Sequence, residues 1–325
     1  MYRFLRLPIV AVALLMGSLP ATAAAPSVLV SIPPVHALVA AIMAGVGTPD
    51  LLIRGLASPH NYALRPSDAL KLRRAEIVFW VGPTMEMALA KPIAALGGND
   101  RAIALHEAPG VGILRFREGH ADHAGAQASD KDHDADHHGA DHDDHDHGHG
   151  ELDLDMHIWL DPENAIAMSA RIAAVLGARD PDNAANYTAN AARLDARLRA
   201  LDQSLATRLA GFAGRPYVVF HDAYQYFERR YGLAPAASIT VSPDQSPGAR
   251  RLHEIRKTIV EAGAACVFVE PQFEPAIARM LVDDTATRIV MLDPLGATLQ
   301  PGDNAYFLLM EGLAGAFEDC FRAGD

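Results

Sequence analysis

The chain has 325 residues, half of them apolar, and a formal net charge of −12. That length is enough for two ordinary domains with cores of their own. The acidic balance argues against nucleic acid as a partner.

From the N-terminus, Arg3 and Arg6 precede an apolar run over residues 7–19 and small residues at 21–25. This order predicts a secretory signal peptide over 1–25. The run is short for a bilayer span and no stop-transfer pattern follows, so cleavage is expected rather than a retained anchor. No cysteine lies near the cleavage site. The mature chain is therefore expected free in a periplasm-like space, not as a lipoprotein.

Continuous apolar runs at 27–32, 50–53, 77–81 and 102–105 read as strands of a first α/β lobe, residues 26–180. Runs of this kind suit sheets with both faces covered by helices. Between residues 118 and 151 the composition changes to His, Asp, Ala and Gly, and nine of the fifteen histidines fall there. The stretch has no apolar face, so it predicts a disordered loop. Its imidazoles and carboxylates are ligands that Zn²⁺ accepts. His133, His137, His138, His142, His145, His147 and His149 are thus candidates for a secondary, low-affinity zinc collector or sensor. A solvated acidic spacer is the alternative.

Asp161-Pro162-Glu163 places a cap, a first-turn proline and an acid in order and predicts a helix to about residue 177. Asp180-Pro181-Asp182 repeats the signal. The helix expected after it, over 181–211, carries Leu194, Leu198, Leu201, Leu205 and Leu209 as one stripe. It reads as a rigid strut between lobes, or as a surface helix of one of them. Runs at 217–220, 237–240, 266–269 and 289–292 then read as strands of a second α/β lobe, residues 212–325. The β/α alternation predicts two lobes with mostly parallel sheets. An exported chain with two cysteines commonly bonds them. Cys266 and Cys320 would tie the C-terminal helix to a strand, with a thiolate metal site as the alternative.

Six histidines lie outside the acidic stretch. His60 follows the second run, His157 precedes the Asp161 cap, and His221 directly follows 217–220. Asp293 directly follows the last strand-like run. Ligands of open α/β sheets bind beyond the carboxyl ends of strands. These four, two from each half, could therefore meet across a cleft and form a nitrogen-rich shell suited to Zn²⁺. Each alone could equally be a hydrogen-bonded structural residue or, for Asp293, a turn residue. His36 and His106 are weaker candidates. His253 sits among Arg250, Arg251, Arg256 and Lys257 on an expected solvated face.

The segments Gly55-Leu56-Ala57-Ser58-Pro59-His60-Asn61-Tyr62, Val81-Gly82-Pro83-Thr84-Met85-Glu86, His157-Ile158-Trp159-Leu160-Asp161-Pro162, Phe220-His221-Asp222-Ala223-Tyr224, Glu270-Pro271-Gln272-Phe273 and Leu292-Asp293-Pro294-Leu295-Gly296 occur in family order. Together they resemble the zinc-binding components of bacterial ABC importers, the ZnuA-like proteins. The resemblance implies two α/β lobes joined by one long helix, a metal site in the cleft, and small lobe motions. It implies Zn²⁺ ligands at His60, His157 and His221, with Asp293 as the fourth ligand that some members use. It also implies a Cys266–Cys320 disulfide. As partners it implies a membrane permease with a cytoplasmic ATPase, with a periplasmic zinc chaperone as a further candidate. The protein is expected to act as a monomer without catalysis. The rival readings are an exported zinc-dependent hydrolase or lyase, and a metal-binding adhesin or metallochaperone. Against an enzyme, no His-Glu-x-x-His occurs, and the acids Glu86 and Glu270 have no assigned partner.

Overall fold

A computed structural model describes residues 25–95, 100–117, 154–240 and 246–322. The signal peptide expected over 1–25 and the secondary metal candidates His133, His137, His138, His142, His145, His147 and His149 fall outside the described residues, apart from Ala25.

Val28–Val30 (β1), Asp50–Leu51 (β2), Ile77–Trp80 (β3) and Ala102–Ala104 (β4) form a parallel sheet in the order β2-β1-β3-β4. The crossovers are the helices Pro33–Ile42 (α1), Pro66–Arg74 (α2) and Met87–Ala94 (α3). Residues of β1 and β3 are buried throughout, as continuous apolar runs covered on both faces should be.

The two-residue strands Leu114–Arg115 (β5) and Leu154–Asp155 (β6) pair antiparallel, Leu114 opposite Asp155. They flank the acidic stretch. Asp161 then caps the helix Pro162–Arg179 (α4) by accepting from the backbone N–H of Glu163, as its sequence position predicts.

The second lobe repeats the plan. Val218–His221 (β7), Ala237–Thr240 (β8), Cys266–Val269 (β9) and Arg288–Met291 (β10) form a parallel sheet in the order β10-β9-β7-β8. β10 departs from the expected two-sided burial. It is an edge strand with Met291 exposed.

The joining helix Ala184–Leu209 (α5) is 26 residues long, with short 3-10 turns at Pro181–Asn183 and Ala210–Phe212 completing the expected span. Asp180 does not cap it. Its carboxylate instead accepts from Asn183 and from the Tyr187 hydroxyl, bracing the turn that precedes the helix. The leucine stripe is buried along α4 and meets α1 and the C-terminal helix Ala305–Arg322, one helix from each lobe. A single apolar cluster accordingly runs from the first sheet through α5 into the second lobe, and a smaller one lies on the other face of the second sheet.

Cys266 of β9 and Cys320 of the C-terminal helix are bonded, with Cα atoms 5.8 Å apart. Closing 54 residues contributes about 4 kcal/mol in the chain-entropy account.

Candidate metal centre

The sheet of each lobe is parallel, so its strands end on one side; His60 and His221 lie at or beyond such ends, whereas His157 follows the antiparallel strand β6. His221 is the last residue of β7, and Glu270 directly follows the neighbouring β9. Glu270 Oε1 holds His221 Nδ1 at 2.5 Å. His157 leaves β6 just before the 3-10 turn Ile158–Leu160. Its backbone N–H and its Nδ1 both bind Asp155 Oδ1, at 3.0 and 2.7 Å. Asp155 is fixed in turn from the second lobe, where Gln225 donates to its carboxylate and the Tyr226 hydroxyl donates to its carbonyl. His60 arrives from the loop after β2, its backbone N–H donating to Ser58 Oγ at 3.3 Å. Gly55, at φ +62°, turns that loop.

The three imidazoles stand around one point. Their ring centroids lie 5.3, 5.7 and 5.3 Å apart, and a ligand atom from each lies within 4.8 Å of the others. His157 and His221 are buried, while His60 keeps a partly exposed edge. Trp159 stacks obliquely on His157 and donates its indole N–H to the Pro294 carbonyl across the cleft.

With both Nδ1 atoms engaged by carboxylates, the Nε2 atoms of His157 and His221 face each other at 3.4 Å. Two unprotonated lone pairs at that distance repel, so a cation or a proton belongs between them. A tetrahedral Zn²⁺ with Zn–N bonds of about 2.0–2.1 Å spaces its ligand nitrogens about 3.3–3.4 Å apart. The donor set therefore fits this ion. Carboxylates behind ligand imidazoles fix the tautomer and raise the basicity of the ring. Burial, and then the neighbouring His157 and His221, hold the pKa of His60 well below 6.5, which keeps it neutral and able to ligate. Burial works against a charged His221 as well, but the Glu270 carboxylate outweighs it and raises that pKa. The cavity between the rings holds about 10 Å³, room for one water-sized occupant.

Asp293 does not join the three histidines. Its Oδ1 accepts from the backbone N–H of Leu295 at 3.0 Å and its Oδ2 from that of Ala297 at 2.7 Å. The carboxylate closes the turn after β10, which is the turn role left open for an acid before proline. His36 is buried against the Pro49 carbonyl, and His106 binds the Val81 carbonyl while packing on Gly82. His253 is exposed on the helix Ala249–Ala262. Glu86 is buried, taking hydrogen bonds from Ser31 Oγ and from the N–H groups of Val81 and Gly82; burial pushes its pKa up to about 7. Asp155 and Glu270 are the site residues that motif reasoning did not assign. The signal for Asp155 was its place two residues before His157.

An imidazole triad between two parallel-sheet lobes defines a two-lobed metal-binding protein. The chain belongs to the ZnuA family, whose model, "Zinc-uptake complex component A periplasmic", matches residues 28–320. The high-affinity zinc uptake system protein ZnuA of Brucella abortus (strain 2308) is 46% identical over 303 residues, covering 90% of this chain and 91% of that one. A crystal structure of ZnuA superposes with a TM-score of 0.70 at 26% identity, covering 90% of this chain and 99% of that one. A ZnuA deletion mutant with zinc bound gives 0.69 at 27% identity, covering 90% and 98%.

Proposed function

We propose that this protein is the periplasmic zinc-capturing component of an ABC importer, with His60, His157 and His221 as the ligands of the transported Zn²⁺. The observation that carries the reading is the 3.4 Å gap between two carboxylate-backed Nε2 atoms, with His60 closing the third side. Family membership supports transport rather than chemistry as the task. The small cavity supports it too, because an organic substrate needs more room than one water-sized site. Asp293 serves in this reading outside the metal's own shell.

Residues 26–180 and 212–325 act as the two lobes and 181–211 as the link. The chain is exported by its N-terminal signal, carries no lipid, and works as a monomer that hands zinc to a permease with a cytoplasmic ATPase. Among the described residues no helix is long and apolar enough to cross a membrane. Polar bonds across the cleft, from Trp159 to Pro294, Tyr306 to the Trp159 carbonyl, and Arg117 to Asp222, favour small lobe motions.

Growth of a zinc-uptake-deficient strain under chelation tests the reading. The wild-type gene restores growth only with its permease present. Rescue without a permease, or by a His60→Ala variant, contradicts it.

A further inference from the structure

Three imidazoles leave a tetrahedral Zn²⁺ with one more place to fill. Glu270 and Phe273 bracket a short turn after β9, the Phe273 N–H returning to the Glu270 carbonyl at 3.2 Å. Both ends are pinned beside the site. Glu270 holds His221, while Phe273 stacks on Phe220 at 5.2 Å and presents its ring to the edge of His221 at 6.3 Å. Between them Gln272 lines the same cavity as the three histidines.

Its Nε2 points to Asp293 Oδ1 at 3.5 Å, which sets the amide orientation, since a carboxylate takes a donor and rejects the amide oxygen. Its Oε1 is then buried and has no hydrogen-bond partner among the described residues. Leaving a buried amide oxygen unpaired is costly, so in a native protein it commonly has a further partner.

We propose that Gln272 is a positioning residue for the captured ion: its Oε1 accepts a hydrogen bond from the water that fills the fourth place on the zinc, while its Nε2 hands orientation on from Asp293. This rests on the three-imidazole reading above. An amide oxygen is a weak direct ligand for Zn²⁺ beside imidazole but a good acceptor for the acidic water such an ion carries. Asp293 thereby influences the ion through Gln272, with both its oxygens still closing the turn.

The test compares wild type, Gln272→Leu, Gln272→Glu and Asp293→Asn in the full mature chain. Zn²⁺ affinity is read by chelator competition, and the Co²⁺-loaded protein by its visible absorption bands. Gln272→Leu is expected to weaken zinc binding about tenfold, the lower end for an outer-shell partner. It should also shift the Co²⁺ bands and leave the metal-free melting temperature unchanged or higher, because the unpaired acceptor is gone. Gln272→Glu keeps an acceptor at the same reach but loses the donor to Asp293, so it should recover only part of the affinity lost in Gln272→Leu. Asp293→Asn should weaken binding no more than Gln272→Leu does. Wild-type affinity and bands in Gln272→Leu overturn the proposal, as does a larger loss in Asp293→Asn. Retained tight binding in His60→Ala would instead remove the three-imidazole site itself, a failure visible without any Gln272 variant.

Discussion

Two of the three site imidazoles are built differently from the third. His157 and His221 are buried, and each has its Nδ1 locked by a carboxylate, so each ring is aimed before any ion arrives. His60 sits on a loop, keeps an exposed edge, and has no carboxylate behind it among the described residues. The comparison shows where preorganisation and access have been separated. The buried pair sets the spacing the ion must match, and the loop residue closes the shell from the solvent side.

The largest expected effect is removal of the closing ligand. His60→Ala should weaken zinc binding by more than the ~100-fold that bounds loss of an outer-shell partner, measured by chelator competition. A smaller loss would mean that the buried pair holds the ion alone. Next come the backing carboxylates. Asp155→Asn and Glu270→Gln should each cost about 10–100-fold in zinc affinity, whereas Ser58→Ala, behind His60, should cost less than either. Equal effects would erase the distinction between the pair and the loop residue.

The pH response sharpens the same comparison. Zinc must displace a proton from His221, whose pKa lies above 6.5. Affinity should therefore begin to fall on acidification already above pH 6.5, and Glu270→Gln should move that onset to lower pH. A flat profile between pH 5 and 8 would contradict this. In the metal-free protein His221 and His60 act oppositely on stability. The His221 contribution is fully present below pH 6.5 and is lost as pH rises through its raised pKa. His60, with its lowered pKa, costs stability as pH falls below 6.5. The smallest effect concerns the acidic stretch. Deleting residues 119–150 should leave tight binding intact and remove weaker zinc equivalents from a titration.

Much of this architecture could be read from the residues themselves. Buried parallel strands need unbroken apolar runs, and the run Cys266–Val269 coincides with β9. Asp161 and the leucine stripe were legible because capping and helical periodicity are local. The paired two-residue strands β5 and β6 were not, since two residues carry no periodicity and their partners lie 39 to 41 positions apart. Asp180 carries a cap signature, yet the Tyr187 hydroxyl captures its carboxylate. The three histidines stood out by type and position. Their backing acids did not, because Glu270 meets His221 only through the pairing of β7 with β9. Asp293 stood where a ligand could stand, but two backbone N–H groups in its own turn satisfy its oxygens.

A crystal structure of the zinc-loaded protein, with anomalous data on both sides of the zinc edge, tests the central claim most directly. One strong peak should appear between His157 Nε2 and His221 Nε2, within about 2.0–2.1 Å of both and of a His60 ring nitrogen. A peak that leaves any of the three imidazoles out of bonding distance, or that takes an Asp293 oxygen in place of one of them, would contradict the account.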